Sequence, residues 1–497
     1  MAERELAVAI TGAGGAGVIS CGELLLQARA GAGGFGMLRK TFGPQIRGGE
    51  AAALLQLTAN EHYLPVTCYD ILVALDWVNF SRFEDEIGVG PDTLVICQPG
   101  KPPPALIATA GAELVELDLT GLAAEAHPDG RENMLVVGLL GAILGLPIPR
   151  LKALAGDKLG RKSARHAEAA ACCIDAGAGL DAARRLPPPA SAQGLWYLSG
   201  NQAAGYGALQ AGVRFVAAYP ITPASDVLEW LAGGLEQVGG ELVQAEDELA
   251  AINMAIGAAF GGALALTATS GPGLALMSES LGLAVASETP VTVLNVMRGG
   301  PSTGIPTKSE QGDLNIALFG LHGDAPHLVL APLGIADCVF TTGWAVQLAQ
   351  ALQTPAVVLS DQYLGQSTAV VSPPRQCDPG PAPAAVPVDN DYLRYRLTAS
   401  GVSTLAVPGD PGQRFTADGL EHNEAGTPSA SQSDHLQQLD KRARKLADYP
   451  FGPDWGVTGG NGGLALVGFG SSFAAIEAAA ERLRQSGRAT RTICLRL

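Results

Sequence analysis

Three carboxylates, Glu246, Asp247 and Glu248, stand directly ahead of one of the most apolar helical runs in the chain, "LAAINMAIGAAFGG". Acids at a helix start ordinarily face water and offset the positive end of the helix dipole, and that role suits Glu246 or Asp247. After Glu248, small residues recur at Ala251, Ala255, Gly257 and Ala259. On a helix they would make a thin face, able to pack closely on a neighbour or a cofactor, with Glu248 at its positive end. A second constellation is "AAYPITPASDVLEWL", where Pro220 and Pro223 fix the backbone around Thr222 and hold its hydroxyl in one direction. Thr222 could equally cap the following helix, with Pro223 at the first helical position. A third is "GAGGAG" (Gly12 to Gly17), which satisfies GxGxxG between a strand and a helix. That context suits an anion at a helix N-terminus, such as a coenzyme A phosphate, or a tight turn needed only for packing. A dinucleotide site also wants an acid about 20 residues on. Here Arg39, Lys40 and Arg47 occupy that stretch, and the first acid after the second strand is Glu50.

These groups need elements to hold them. Strand-like and helical runs alternate from Leu6 to the helix beginning at Glu132, and again from Gly200 to the strand "PAVVLSD". Such alternation predicts an α/β protein of several open, mostly parallel sheets with helices on both faces. In that architecture Thr222, Ser270 and Arg298 each follow a strand, at the sheet edge where ligands bind. "AARRLPPPASAQG" (Ala182 to Gly194) reads as a linker. From about Cys377 to Val457 periodicity fades, and an ordered connector is expected, ending in "DHLQQLDKRARKLADY". The last segment, "GLALVGFGSSFAAIEAAAERLRQSGRATRTICLRL", is one strand–helix–strand unit, which cannot bury both of its faces by itself.

Composition narrows the classes. With 32 basic against 48 acidic residues the chain carries −16, which disfavours a nucleic-acid partner. The N-terminus shows no secretory signal, and the run Met134 to Pro149 is shorter than the roughly 20 residues of a membrane span. It reads as a buried helix. None of the eight cysteines forms a CxxC or has zinc or iron–sulfur spacing. A cytoplasmic protein with reduced thiols, no metal ligands and no cluster of its own is expected.

Taken together, "YPITPAS", "EDELAAINMAIGAAFGG", "TATSGPG" and "RGGPSTGIPTKSEQGDL" resemble the α subunit of the 2-oxoacid:ferredoxin oxidoreductases, most closely the 2-oxoglutarate branch. "GAGGAGV", "FGMLRKTFGPQIRGGE" and "ENMLVVGLLGAI" resemble that family's γ domain, fused in front of α, and "GLEHNEAG" and "DKRARKLADY" resemble the connector of such fused subunits. The resemblance implies four parts: a γ-like domain over 1–190, a pyrimidine-binding thiamine-diphosphate domain over 195–376, a connector over 377–460, and the incomplete beginning of a transketolase C-terminal-like domain over 461–497. It implies that Glu248 hydrogen-bonds the aminopyrimidine of thiamine diphosphate. Tyr219, Pro220, Ile221, Thr222, Ser270 and Gly271 would line the cofactor. Thr222 and Arg298 would meet the 2-oxoacid, joined by Ser302, Thr303, Thr307 and Lys308 from a closing loop. Gly12, Gly14, Gly15 and Gly17 would be the candidate coenzyme A or anion site.

A complete thiamine-diphosphate site also needs a GDG…N segment for Mg²⁺ and the diphosphate. "HGDAPHL" (His322 to Leu328) has Gly-Asp but no second Gly. The resemblance therefore implies a separate β subunit carrying the GDG motif and a [4Fe-4S] cluster, with ferredoxin as electron acceptor and an (αβ)₂ assembly. The reaction implied is 2-oxoglutarate, coenzyme A and oxidised ferredoxin to succinyl-CoA, CO₂ and reduced ferredoxin, reversibly. It would serve as a step of the TCA cycle or of carbon fixation. Pyruvate, a branched-chain 2-oxoacid, indolepyruvate or oxalate is the alternative substrate. A non-catalytic nucleotide-binding scaffold and an NAD-linked dehydrogenase are the alternatives from other classes.

Overall fold

The structure, a computed structural model, describes residues 5–43, 49–61, 66–161, 163–180, 192–305, 308–377 and 392–497. Most of the linker Ala182 to Gly194 therefore lies outside the described residues, as do Arg47, Thr307 and the first part of the connector. Contacts divide the chain into two units, Met1–Leu198 with Ser367–Pro373, and Ser199–Gln366 with Pro374–Leu497.

The first unit begins β1 (Leu6–Gly12), α1 (Val18–Gly31), β2 (Phe35–Phe42), β3 (Ala51–Thr58), β4 (Ile71–Ala74) and β5 (Leu94–Cys97). It continues α2 (Ala105–Thr109), β6 (Glu113–Glu116), α3 (Leu119–Ala126), α4 (Glu132–Ile143), α5 (Ile148–Gly160), α6 (Ala164–Ala178) and β7 (Trp196–Ser199). β14 (Thr368–Val371) joins from later in the chain, giving the order β6-β5-β4-β1-β3-β2-β14-β7. The alternating side chains of β1 feed two cores: Val8 and Ile10 pack under α1 and α4, Ala7 and Ala9 against Leu72, Phe80 and Phe83. The expected buried helix is α4, apolar on nearly every side.

One half of this sheet departs from simple alternation. β6, β5, β4 and β1 are parallel, but β3 runs antiparallel to both β1 and β2. Only eight residues separate Phe42 from Ala51, too few for the crossover that a parallel pair needs. β3 lies between β1 and β2, so "GAGGAG" does not open a βαβ unit with adjacent strands as a dinucleotide site has. Lys40 pairs with Glu23 at 2.9 Å, and Glu50 pairs with Arg82, so neither waits for a ribose.

The second unit runs α7 (Gly200–Gln210), β8 (Phe215–Ala218), α8 (Ser225–Gln237), β9 (Glu241–Gln244), α9 (Glu248–Phe260) and β10 (Ala265–Thr269). Next come α10 (Gly271–Leu276), α11 (Ser278–Ala286), β11 (Thr292–Met297), α12 (Leu314–Phe319) and β12 (Leu328–Leu330). α13 (Asp337–Leu352), β13 (Ala356–Asp361) and α14 (Gln362–Gln366) complete the layer. The six strands lie in the order β12-β13-β11-β10-β8-β9, every neighbouring pair parallel. Last come α15 (Gln432–Ala447), β15 (Gly456–Gly460), β16 (Leu464–Phe469), α16 (Phe473–Gln485) and β17 (Thr490–Leu495), whose strands form a small sheet ordered β15-β17-β16.

The described part of the connector is ordered and charged inside. Glu288, completely buried just past α11, receives Lys441 at 2.6 Å and Lys445 at 3.3 Å from α15. Arg394 donates to the carbonyls of Ser287 and Glu288 and to Gln353 Oε1, while Lys445 donates to the Gln353 carbonyl at 2.8 Å. Those carbonyls belong to the C-terminal ends of α11 and α13, where unpaired C=O groups and the negative dipole end favour cations. This accounts for three cations gathering on one acid. No helix among the described residues is long and apolar enough to cross a membrane.

Candidate active site

The six-stranded sheet has one point where its winding reverses. From β8 the chain crosses to β9 on one side, and from β9 it returns past β8 to β10 on the other. The crevice outside the C-terminal ends of β8 and β10 is therefore the expected ligand site. Four successive strand ends deliver side chains to that edge: Thr222 after β8, Glu248 after β9, Ser270 after β10 and Arg298 after β11.

The three neighbouring acids separate here. Glu246 is exposed. Asp247 is the N-cap of α9, and its Oδ1 accepts the Ala250 N–H at 2.7 Å. Glu248 is buried, and its carboxylate makes no hydrogen bond among the described residues. It lies against Gly273, where a Cβ would stand 2.7 Å from Glu248 Cγ and 3.0 Å from Oε1. The thin face of α9 consists of Ala251, Ala255 and Ala259, all buried within the unit. Gly257 does not belong to it: two residues from Ala255 is about half a turn of helix, and the glycine faces open space.

The turn after β10 has a buried hydroxyl, Ser270 Oγ, with no partner. Gly271 follows, with the Asp313 carboxylate seated against it. After β8, Tyr219 and Pro220 are exposed and Ile221 and Thr222 half-buried. Thr222 is not the helix cap: α8 begins at Ser225, with Ala224 at its N-cap position. The Thr222 carbonyl instead accepts from Arg298 Nη1 at 2.6 Å, so the guanidinium ties the end of β11 to the turn after β8. Arg298 Nε is buried and unpaired, and burial pulls this guanidinium below its usual range. A carboxylate brought to it would satisfy that donor.

Ser302 and Thr303 are exposed on the loop after Arg298, and Lys308 is half-buried. The loop closes through Gly299 N–H to the Lys308 carbonyl and Gly300 N–H to Glu310 Oε2, both at 2.9 Å. Two further residues belong to the site. Asn295, fully buried in β11, donates Nδ2 to Asp313 Oδ2 at 2.9 Å and leaves its Oδ1 unpaired. Burial pushes the Asp313 carboxyl up against that hydrogen bond, and the nearby Glu310 charge adds to the push. The signal for Asn295 was an amide in the middle of an otherwise apolar strand, "TVLNVM".

In the first unit the glycine turn is already in use on one side. The Ala13 N–H donates to Asp76 Oδ2 at 2.7 Å, placing a carboxylate at the loop's start. Gly14 and Gly15 are exposed, and Gly15 and Gly17 take left-handed backbone angles, φ 85° and 78°. Gly17 lines a cavity of about 210 Å³ with Ser20, Arg131, Asn133, Lys158 and His166. Asn133 is buried, and its amide makes no hydrogen bond among the described residues. Gly12, Gly14 and Gly15 are not part of this cavity's wall.

An unpaired buried carboxylate, a buried hydroxyl and a guanidinium at the switch point of a parallel sheet define a small-molecule site in a doubly wound α/β protein. Comparison makes the class specific. Residues 206–441 match the thiamine-diphosphate-binding model of the pyruvate flavodoxin/ferredoxin oxidoreductases, and residues 7–180 match the pyruvate ferredoxin/flavodoxin oxidoreductase model. The 2-oxoglutarate synthase subunit KorA of Archaeoglobus fulgidus is 38% identical over 58% of this chain and 77% of its own length. The 2-oxoglutarate oxidoreductase subunit KorA of Mycobacterium tuberculosis is 38% identical over 72% of this chain, which spans 57% of that relative. A structure of the 2-oxoglutarate:ferredoxin oxidoreductase from Magnetococcus marinus, with 2-oxoglutarate, coenzyme A and succinyl-CoA bound, matches 99% of this chain and 88% of that one. Its TM-score is 0.89, at 34% identity. The chain belongs to the 2-oxoacid:ferredoxin oxidoreductase family, and within it the likeness is to α subunits of the KorA type.

Proposed function

We propose that the chain is the α subunit of a thiamine-diphosphate-dependent 2-oxoglutarate:ferredoxin oxidoreductase, which forms succinyl-CoA and CO₂ with reduction of ferredoxin. The observation that carries this reading is the buried, partnerless Glu248 carboxylate against Gly273 at the sheet's switch point. The orphaned Ser270 hydroxyl fits a polar ring edge there, while the Cβ positions missing from Gly271 and Gly273 are taken by Asp313, Thr269 and Glu248. Thiamine diphosphate, when bound, supplies the carbanion chemistry that lets a 2-oxoacid lose CO₂. Glu248 holds and polarises the aminopyrimidine through a ring nitrogen, and Tyr219, Pro220, Ile221, Thr222, Ser270 and Gly271 line it. The Thr222 hydroxyl orients the oxoacid. Arg298 binds a carboxylate through its unpaired Nε edge, and Ser302, Thr303, Thr307 and Lys308 cover the substrate.

A separate β subunit completes the site in this reading, with Mg²⁺, the diphosphate ligands and a [4Fe-4S] cluster, in an (αβ)₂ assembly in the cytoplasm. The segments 1–190, 195–376, 377–460 and 461–497 then serve as γ-like domain, pyrimidine-binding domain, connector and transketolase C-terminal-like segment. Anionic groups of coenzyme A enter at the Gly17 end of the glycine loop, beside Arg131 and Asn133, because Asp76 already occupies its start.

Glu248→Gln tests the reading. Assembled with its partner, the variant should keep its fold and lose most turnover, because an amide cannot serve the same proton relay. Turnover near wild type would remove Glu248 from the cofactor site.

A further inference from the structure

The loop that leaves the sheet at Arg298 returns to it at Asp313, and there it meets the turn that ends β10. A Cβ on Gly271 would stand 2.6 and 2.8 Å from the two Asp313 oxygens, so the carboxylate rests directly on that glycine. On the other flank of the turn, a Cβ on Gly273 would meet Thr269 Oγ1 first, then Glu248 Cγ at 2.7 Å and Oε1 at 3.0 Å. The four residues Ser270–Gly273 thus lie between the Asp313 carboxylate at Gly271 and the Thr269 and Glu248 side chains at Gly273.

Both supports of this arrangement are costly. A side-chain amide inside an apolar strand requires hydrogen bonds, and among the described residues Asn295 makes its one such bond to Asp313. Asp313 is itself partly buried, with Glu310 near it. An apolar residue in β11 would avoid the first cost, but it would leave Asp313 unanchored. Asp313 also ends the loop that carries Ser302, Thr303 and Lys308. Its limb is tied at Lys308 to Gly299, at Glu310 to Gly300, and at Gln311 to the Phe469 carbonyl at 3.1 Å.

We propose that Asp313, held by Asn295, is a positioning residue that fixes the Ser270–Gly273 turn against Glu248 and couples it to the loop after Arg298. The inference rests on the functional reading above, but its first test does not use activity. Hydrogen exchange of the intact chain should rise at least about fivefold in peptides covering 270–277 for Asp313→Ala. It should stay near wild type for Asp313→Asn, whose carbonyl oxygen can accept from Asn295 in the same place. Asn295→Ala should reproduce the loosening, and the double variant should add little to it, because the two side chains act as a unit. In the assembled enzyme, Asp313→Ala should lower kcat roughly 10- to 100-fold, the scale of a displacement near 1 Å. KM for the oxoacid should stay within about threefold, as positioning without binding requires. Unchanged exchange in Asp313→Ala, or an Asp313→Asn variant as loose and slow as Asp313→Ala, would overturn the proposal. If Asp313→Ala does not assemble, exchange in Asn295→Ala decides alone. A wild-type complex inactive on 2-oxoacids would sink the functional reading and leave the exchange result standing.

Discussion

Replacing Glu288 by Gln keeps the shape of the side chain and removes the one negative charge among Lys441, Lys445 and Arg394. The two lysines are 0% and 1% exposed, and the glutamate is 0% exposed. Removing one member of a buried ion pair typically costs about 3–5 kcal/mol, because the remaining charge stays desolvated without compensation. Two ammonium groups are stranded here, Lys441 without its carboxylate and Lys445 held only by the Gln353 carbonyl at the end of α13, so a loss near 4 kcal/mol is expected. Urea unfolding measures it without screening the charges, as a fall in midpoint at unchanged slope. The linkage has a definite sign. Burial pushes the Glu288 carboxyl up, but Lys445, Lys441 and Arg394 outweigh it and leave it at about 2, below its ordinary 4.5. Its contribution is therefore complete above pH 4.5 and disappears as pH falls toward 2. The gap between wild type and Glu288→Gln should close across that window. A loss under about 1 kcal/mol at pH 7 would refute the argument, since it would mean that water reaches the cluster and screens it.

Other outcomes follow from the same geometry. Lys445→Met should flatten stability between pH 8 and 10.5. Burial pulls Lys445 to about 8 against the attraction of Glu288, so in wild type the unfolded chain holds the extra proton there and stability rises with pH. Gly273→Ala should abolish most activity at a stability cost of roughly 1–3 kcal/mol, because its Cβ meets Thr269 Oγ1 and crowds Glu248. Near-normal turnover in that variant would show that the carboxylate is free to move. Lys308→Ala should raise KM for 2-oxoglutarate more than for pyruvate, since only the dicarboxylate offers a second anion. Equal effects would remove Lys308 from the substrate site.

Much of the second unit was legible because its signals are local. Each strand end is marked by a turn of special residues, and the parallel alternation forces those ends onto one edge. The antiparallel pairing of β2 and β3 was not legible in the same way. An apolar run of eight residues reads alike in either direction, and only the short connection from Phe42 to Ala51 bears on the choice. Gly257 was misassigned to the thin face of α9 because residue size was counted without the helix angle. Asn295 and Asp313 were missed because they lie 18 residues apart and become partners only through the loop between them. Nothing local in "DKRARKLADY" marks Lys441 and Lys445 as buried, yet the ends of α11 and α13 bury them.

The three adjacent acids show what sequence pattern leaves open. Glu246, Asp247 and Glu248 share a charge, a neighbourhood and a helix start, so composition and propensity treat them almost alike. Asp247 is used by the helix itself, which needs an acceptor for the Ala250 N–H. Asp247→Ala should therefore cost about 1 kcal/mol of stability and leave thiamine-diphosphate affinity unchanged. Glu248 points inward one residue later. Its side chain is buried, and no hydrogen bond among the described residues uses its carboxylate. Glu248→Gln should then change stability little, because no hydrogen bond within the chain is lost, while turnover collapses. That opposition of stability and activity separates a functional acid from a structural one. If both variants lost stability alike and kept activity, the two acids would be doing the same work, and the site at the switch point would have to be built from other residues.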